Sequence, residues 1–132
     1  MQNQLSLSSL YLGLHHASLI IADVDISLHF YCDALGFDLD ASRPEMKFKG
    51  AWINVGGAQQ IHLLQLPNPD PTKGRPDHGG RDRHTALHVR DASELELRLK
   101  RADIPYSWSR SGRAAIFCRD PDGNALEFIQ SS

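Results

Sequence analysis

Cysteine is scarce in this chain: Cys32 and Cys118 are the only two in 132 residues. They fall in a predicted helix and a predicted strand without paired metal-type spacing, so neither a disulfide scaffold nor a thiolate metal knuckle is expected. Both read as packed free thiols. Charge of one sign is also missing. Fourteen basic residues stand against sixteen acidic ones, for a net charge of −2, and the basic ones are scattered. That balance excludes a phosphate-backbone partner, so no nucleic acid is expected. No apolar run approaches the roughly 18 residues that span a bilayer. The first ten residues lack the basic head and apolar stretch of a secretory signal. The expectation is a cytoplasmic protein with no membrane partner.

What is present is ordinary globular composition, 41% hydrophobic and 23% charged, on a length that suits one domain. Histidine alone is plentiful, with seven. Position must decide which of them matter.

The chain reads twice. LHHASLII (14–21) is a short, partly β-branched apolar run, hence a strand. Asp23 then caps a helix whose face is Val24, Leu28, Tyr31 and Leu35 and whose end is Gly36. Three further strands are expected over 37–40, 46–55 and 59–66. PNPDPTKGRPDHGGRD (67–82) is too polar and too rich in Pro and Gly to pack as an element. After it HTALHV (84–89) is a strand, Asp91 with Glu94 opens a helix to about Ala102, and strands follow over 105–109, 114–119 and 125–130. Asp120–Asn124 forms the last turn. His16 and His84 are 68 positions apart, as are Asp23 and Asp91, whereas His62 and Glu127 are 65 apart. This internal repeat predicts an α+β fold of two tandem βαβββ modules forming a curved mixed sheet around a cleft. Residues 1–13 are expected to be a flexible lead-in and 14–132 a single domain, with modules 14–66 and 83–130 joined by the connector 67–82.

Each module carries a metal-capable side chain in its first strand and another in its last. His16, His62, His84 and Glu127 therefore form the candidate site, three neutral imidazoles and one carboxylate suited to one divalent metal, Zn, Ni, Fe or Mn. His16, His84 and Glu127 alone make two histidines and a carboxylate, the facial set of non-haem iron, and His62 either completes it or stands aside. Strand alternation puts His15 on the face opposite His16. His29 and His78 read as a helix-surface and a connector residue. His88 shares a face with His84. Trp52, Phe48, Tyr106, Trp108 and Phe117 are read as core or pocket lining. Arg110 and Arg113, flanking Gly112, read as a solvated turn unless the substrate is anionic.

HHASLIIADVDISLHFYCDALGF (15–37) and RDPDGNALEF (119–128) resemble the opening and closing motifs of the vicinal oxygen chelate superfamily of glyoxalases, bleomycin-resistance proteins and extradiol dioxygenases. The resemblance assigns ligand roles to His16, His84 and Glu127, and departs at His62, where glyoxalase I carries Glu. It implies a metal-dependent enzyme that binds neighbouring oxygens of a small-molecule substrate, of lyase or isomerase type, with Glu127 as catalytic proton carrier. An Fe(II) extradiol-type dioxygenase and a metal-free drug-sequestering protein are the alternatives. It also implies a homodimer in which His16 and His62 of one chain meet His84 and Glu127 of the other.

Overall fold

The computed structural model describes residues 7–131. The six leading residues of the expected flexible segment lie outside the described residues, and Leu7–Leu10 makes one 3-10 turn. β1 (His16–Ile21) leads into α1 (Val24–Leu28), which widens into a π-turn over His29–Ala34. β2 (Asp38–Asp40), β3 (Gly50–Gly56) and β4 (Gln59–Gln65) complete the first half. The second half repeats the order with β5 (His84–Val89), α2 (Ala92–Arg101), β6 (Tyr106–Trp108), β7 (Ala115–Arg119) and β8 (Ala125–Gln130).

The same devices start both helices. Asp23 Oδ1 accepts the amides of Asp25 and Ile26 at 2.8 and 3.2 Å, and Asp91 Oδ1 accepts those of Ser93 and Glu94 at 2.9 and 3.3 Å. Each orphan turn thus loses two unpaired donors. A third donor is met from the end of the last strand of its own half: Gln65 Oε1 accepts from Val24 N at 3.0 Å, and Gln130 Oε1 from Ala92 N at 2.9 Å. The repeat is therefore a repeat of hydrogen bonds as well as of residues. Gly36 ends the first helix at φ +84°, where a Cβ would also collide with the Arg98 guanidinium.

The expected α+β architecture holds. Its mixed sheet is built as two four-stranded sheets, ordered β1-β4-β3-β2 and β5-β8-β7-β6, with β1 parallel to β4 and β5 parallel to β8. One face of each sheet is apolar and packs on the helices. Ile21, Ala51, Ile53, Ile61 and Leu63 of the first sheet join Leu87, Ile116, Leu126 and Phe128 of the second in one core with Tyr31, Leu95 and Leu99. The opposite faces carry His16 and His62, and His84 and Glu127, by strict alternation. Cys118 is buried in that core and its thiol is pushed up to about 12 by desolvation, as suits an inert packed cysteine.

A buried polar bridge ties the halves together. Tyr31 OH donates to Asp120 Oδ2 at 2.8 Å, and Asp120 also accepts from the amides of Asp122 and Asn124 and from Asn124 Nδ2. Asn124 Nδ2 donates in turn to Ile20 O, and Asp122 Oδ1 accepts from Ala22 N. The DPDGN turn is thus a clasp on the first module. Burial raises the Asp120 carboxyl above its ordinary value, and these donors offset only part of that rise. Tyr31→Phe removes a hydrogen bond to a buried acid group, and about 1.5–3 kcal/mol of stability is expected to go with it. Urea denaturation of the variant measures the loss. An unchanged midpoint would mean the clasp contributes nothing.

Candidate metal centre

In the first sheet His62 pairs across to Ser18 and Trp52, and His16 lies two residues before Ser18 on β1. The two rings consequently stack, with centroids 3.8 Å apart and planes at 15°, and Trp52 covers the other face of His62 at 4.8 Å. His15 precedes β1, so strand alternation does not govern it. Its Nδ1 lies 2.9 Å from Nδ1 of His16, on the same side rather than the opposite one. Imidazole lone pairs lie in the ring plane, so two parallel rings do not converge on one ion. Ligation by both His16 and His62 requires the exposed His16 ring to turn off the stack.

The second sheet repeats this geometry. Glu127 pairs across to Ala86 and Phe117, and His84 lies two residues before Ala86. His84 Nε2 sits 3.2 Å from Glu127 Oε1, and Glu127 is only 3% exposed. The tautomer follows from the other nitrogen. His84 Nδ1 is 2.8 Å from the carbonyl oxygen of Asp82, and a carbonyl only accepts, so Nδ1 carries the proton. Nε2 meets the buried carboxylate either through a second proton or through a cation. His84 Nε2 and Glu127 Oε1 are the two atoms of this sheet that would hold a divalent ion between them. Neutral nitrogen and carboxylate oxygen, with the remote nitrogen tied to a backbone carbonyl, are the chemistry and the support that a divalent metal takes.

The support is itself anchored. Arg75 and Arg119 both bond the Asp82 carboxylate, at 2.9 and 2.8 Å, and hold it far below the ordinary carboxylate range. On the far side, Arg113 Nη2 reaches Glu127 Oε2 at 3.3 Å. The turn is exposed, as expected, and only the Arg113 guanidinium reaches back to the sheet face. A cleft of about 340 Å³ opens there, lined by His78, Arg81, Arg110, Arg113 and Phe117 beside the His84 and Glu127 pair. His78 Nδ1 accepts from Gly80 N, so its buried Nε2 is the donor, and it has no hydrogen-bond partner among the described residues. His88 donates or accepts at Ser131 Oγ, 2.7 Å away, apart from this cleft.

The four candidates thus fall into two pairs. No group of three His, Cys, Asp or Glu side chains able to hold a metal occurs among the described residues of the single chain. The seam between the sheets gives the reason. One cleft is lined by His16 and Ala17 together with Ala86–His88, and another by Ser18–Ile20 together with His84 and Thr85. The start of β1 therefore faces the end of β5, and the end of β1 faces the start of β5. Equivalent residues at the two strand starts are left at opposite ends of the seam.

Residues 13–128 match the model of the glyoxalase/bleomycin resistance protein/dioxygenase superfamily. The chain belongs to that superfamily. Within it, the chain is 32% identical to "Glyoxylase I 4" of Arabidopsis thaliana over 87% of its own length and 68% of that protein's. It is 33% identical to a lactoylglutathione lyase of Neisseria meningitidis, covering 87% and 88% of the two chains. In fold it is similar to TnmS3, an antibiotic binding protein from Streptomyces sp. CB03234, with a TM-score of 0.71 and 21% identity over 92% of this chain and 98% of that one. Among the described residues no helix is long and apolar enough to cross a membrane.

Proposed function

We propose that this protein is a divalent-metal-dependent enzyme of the glyoxalase type, acting as a lyase or isomerase on a small substrate with two neighbouring oxygens. The observation that carries the reading is the His84 and Glu127 pair, an imidazole nitrogen facing a buried carboxylate 3.2 Å away. The lactoylglutathione lyase relatives support the reaction class. We place the complete site between two copies of the chain, His16 and His62 of one with the partner's His84 and the partner's Glu127. The separation of the two pairs in one chain supports this, because each pair keeps the other half of its ligand set out of reach.

The surface beside His16 supports it as well. Leu10, Tyr11, Leu12 and Leu14 are 76, 74, 101 and 80% exposed, and they lead straight into β1. Four large apolar side chains in five residues form a patch of roughly 600 Å², at the upper end of what monomers leave uncovered. A two-fold contact would cover it twice over, approaching the roughly 1,200 Å² of a specific interface.

A bound metal would supply Lewis-acid polarisation of the substrate's oxygens. The chain's own residues do the rest. Glu127 Oε2 faces the cleft and is the atom placed to take and return the substrate proton. Arg113 beside it lines the cleft and is a donor available to substrate oxygens. Metal analysis of protein purified without chelator, with turnover of a hemithioacetal, tests the reading. About one zinc, nickel or manganese per chain with turnover supports it. Iron with oxygen uptake on catechols replaces it with ring cleavage, and no stoichiometric metal overturns it.

A further inference from the structure

We propose that Asp40 and Gln60 form a relay that fixes the proton of His62 on Nε2 and leaves Nδ1 as the nitrogen that His62 offers to the metal. The inference rests on the metal-site reading and sharpens it at the one position where this chain carries His instead of Glu.

The geometry leaves one arrangement. Ser42 donates to Asp40 Oδ1 from both its amide and its hydroxyl, at 2.9 and 2.7 Å. Asp40 Oδ2 is thereby turned to Gln60, whose Nε2 lies 2.7 Å away. A carboxylate only accepts, so the amide orientation of Gln60 is fixed with its nitrogen towards Asp40. The same nitrogen lies 2.9 Å from Asn54 Oδ1, directly across the strand pair. Gln60 Oε1 then faces His62 Nε2 at 2.9 Å and accepts from it. With Nε2 donating, the lone pair of a neutral ring is on Nδ1. Trp52 and His16 on its two faces leave the ring edge as the only route to a ligand.

This is the arrangement that ligating histidines use, one nitrogen tied to an oxygen of a supporting group and the other free. His84 has it with the nitrogens exchanged, Nδ1 tied to the Asp82 carbonyl and Nε2 turned to Glu127. The two modules therefore offer opposite nitrogens, the first set by a side chain of the same strand and the second by the backbone just before β5.

Two-bond hydrogen–nitrogen spectra of the metal-free full chain, labelled at histidine, read the tautomer directly. The wild type is expected to show His62 as Nε2–H and His84 as Nδ1–H. Asp40→Asn inverts the first of these. The Ser42 amide can only donate, so the new side chain keeps its oxygen there and presents its amino group to Gln60. Gln60 must then flip, with the exposed Asn54 amide turning to present its nitrogen, and donate to His62 Nε2, which moves the His62 proton to Nδ1. Gln60→Leu removes the acceptor and is expected to weaken zinc binding about 10- to 100-fold. A wild-type His62 found as Nδ1–H, or an Asp40→Asn chain whose His62 is unchanged, overturns the relay. Zinc is expected to shift His62 Nδ1 together with His84 Nε2. Zinc that shifts His84 alone removes His62 from the ligand set and overturns the ligand part of the proposal. Zinc that shifts neither, with the tautomers as stated, refutes the metal-site reading and leaves the relay standing.

Discussion

Glu127→Gln is expected to strip the protein of metal while leaving it folded. Glutamine fills the same volume in a position that is 3% exposed, so no cavity opens behind it. It lacks the negative charge, and its amide can satisfy the His84 nitrogen that the carboxylate faced. Losing a supporting residue around a metal typically costs 10- to 100-fold in affinity. Losing the only carboxylate ligand should cost at least about 100-fold, or about 2.7 kcal/mol. His84→Ala is expected to do the same through the other atom of the pair. Metal per chain, measured after dialysis against micromolar zinc, should fall from about one to below about a tenth in both variants. Far-ultraviolet circular dichroism should not change. A Glu127→Gln protein that keeps stoichiometric metal would mean that the close approach of His84 to Glu127 is only a proton-mediated ion pair.

Much of the fold was legible because burial leaves a periodic trace. The strands HASLII and HTALHV, the caps Asp23 and Asp91, and the Gly36 stop each follow from local chemistry, and the offset of 68 tied them into a repeat. The widening of the first helix into a π-turn at His29–Ala34 was not legible, because α and π turns bury nearly the same face. The two candidate pairs could be anticipated from strand parity alone. How they sit relative to each other could not, since that depends on which way β1 and β5 run past one another at the seam.

The supporting residues were hidden for a different reason. Asp40 lies on β2 and Gln60 and His62 on β4, with β3 between them, and their contact depends on the register that aligns Asp40 with Trp52 and Trp52 with His62. A one-residue slip would send Asp40 to the other face. Asp82 acts on His84 through its backbone carbonyl, which no side-chain pattern reveals. Arg113 sits in a Ser- and Gly-rich turn whose composition argues for solvent, yet its length lets the guanidinium reach the buried Glu127.

The central claim is that one chain supplies half a site. It is tested by mixing two inactive chains, one carrying His16→Ala and His62→Ala, the other His84→Ala and Glu127→Gln. If each site takes its first pair from one chain and its second from another, a mixed dimer holds one intact site and one doubly damaged site. Equal co-expression makes half the dimers mixed, so metal content and turnover should recover to about a quarter of the wild-type value, from close to zero in each chain alone. Recovery to that level is the result the account predicts. Metal and activity that stay at the level of the separate variants, in a sample shown to contain mixed dimers, would contradict it and put all four ligands back in one chain.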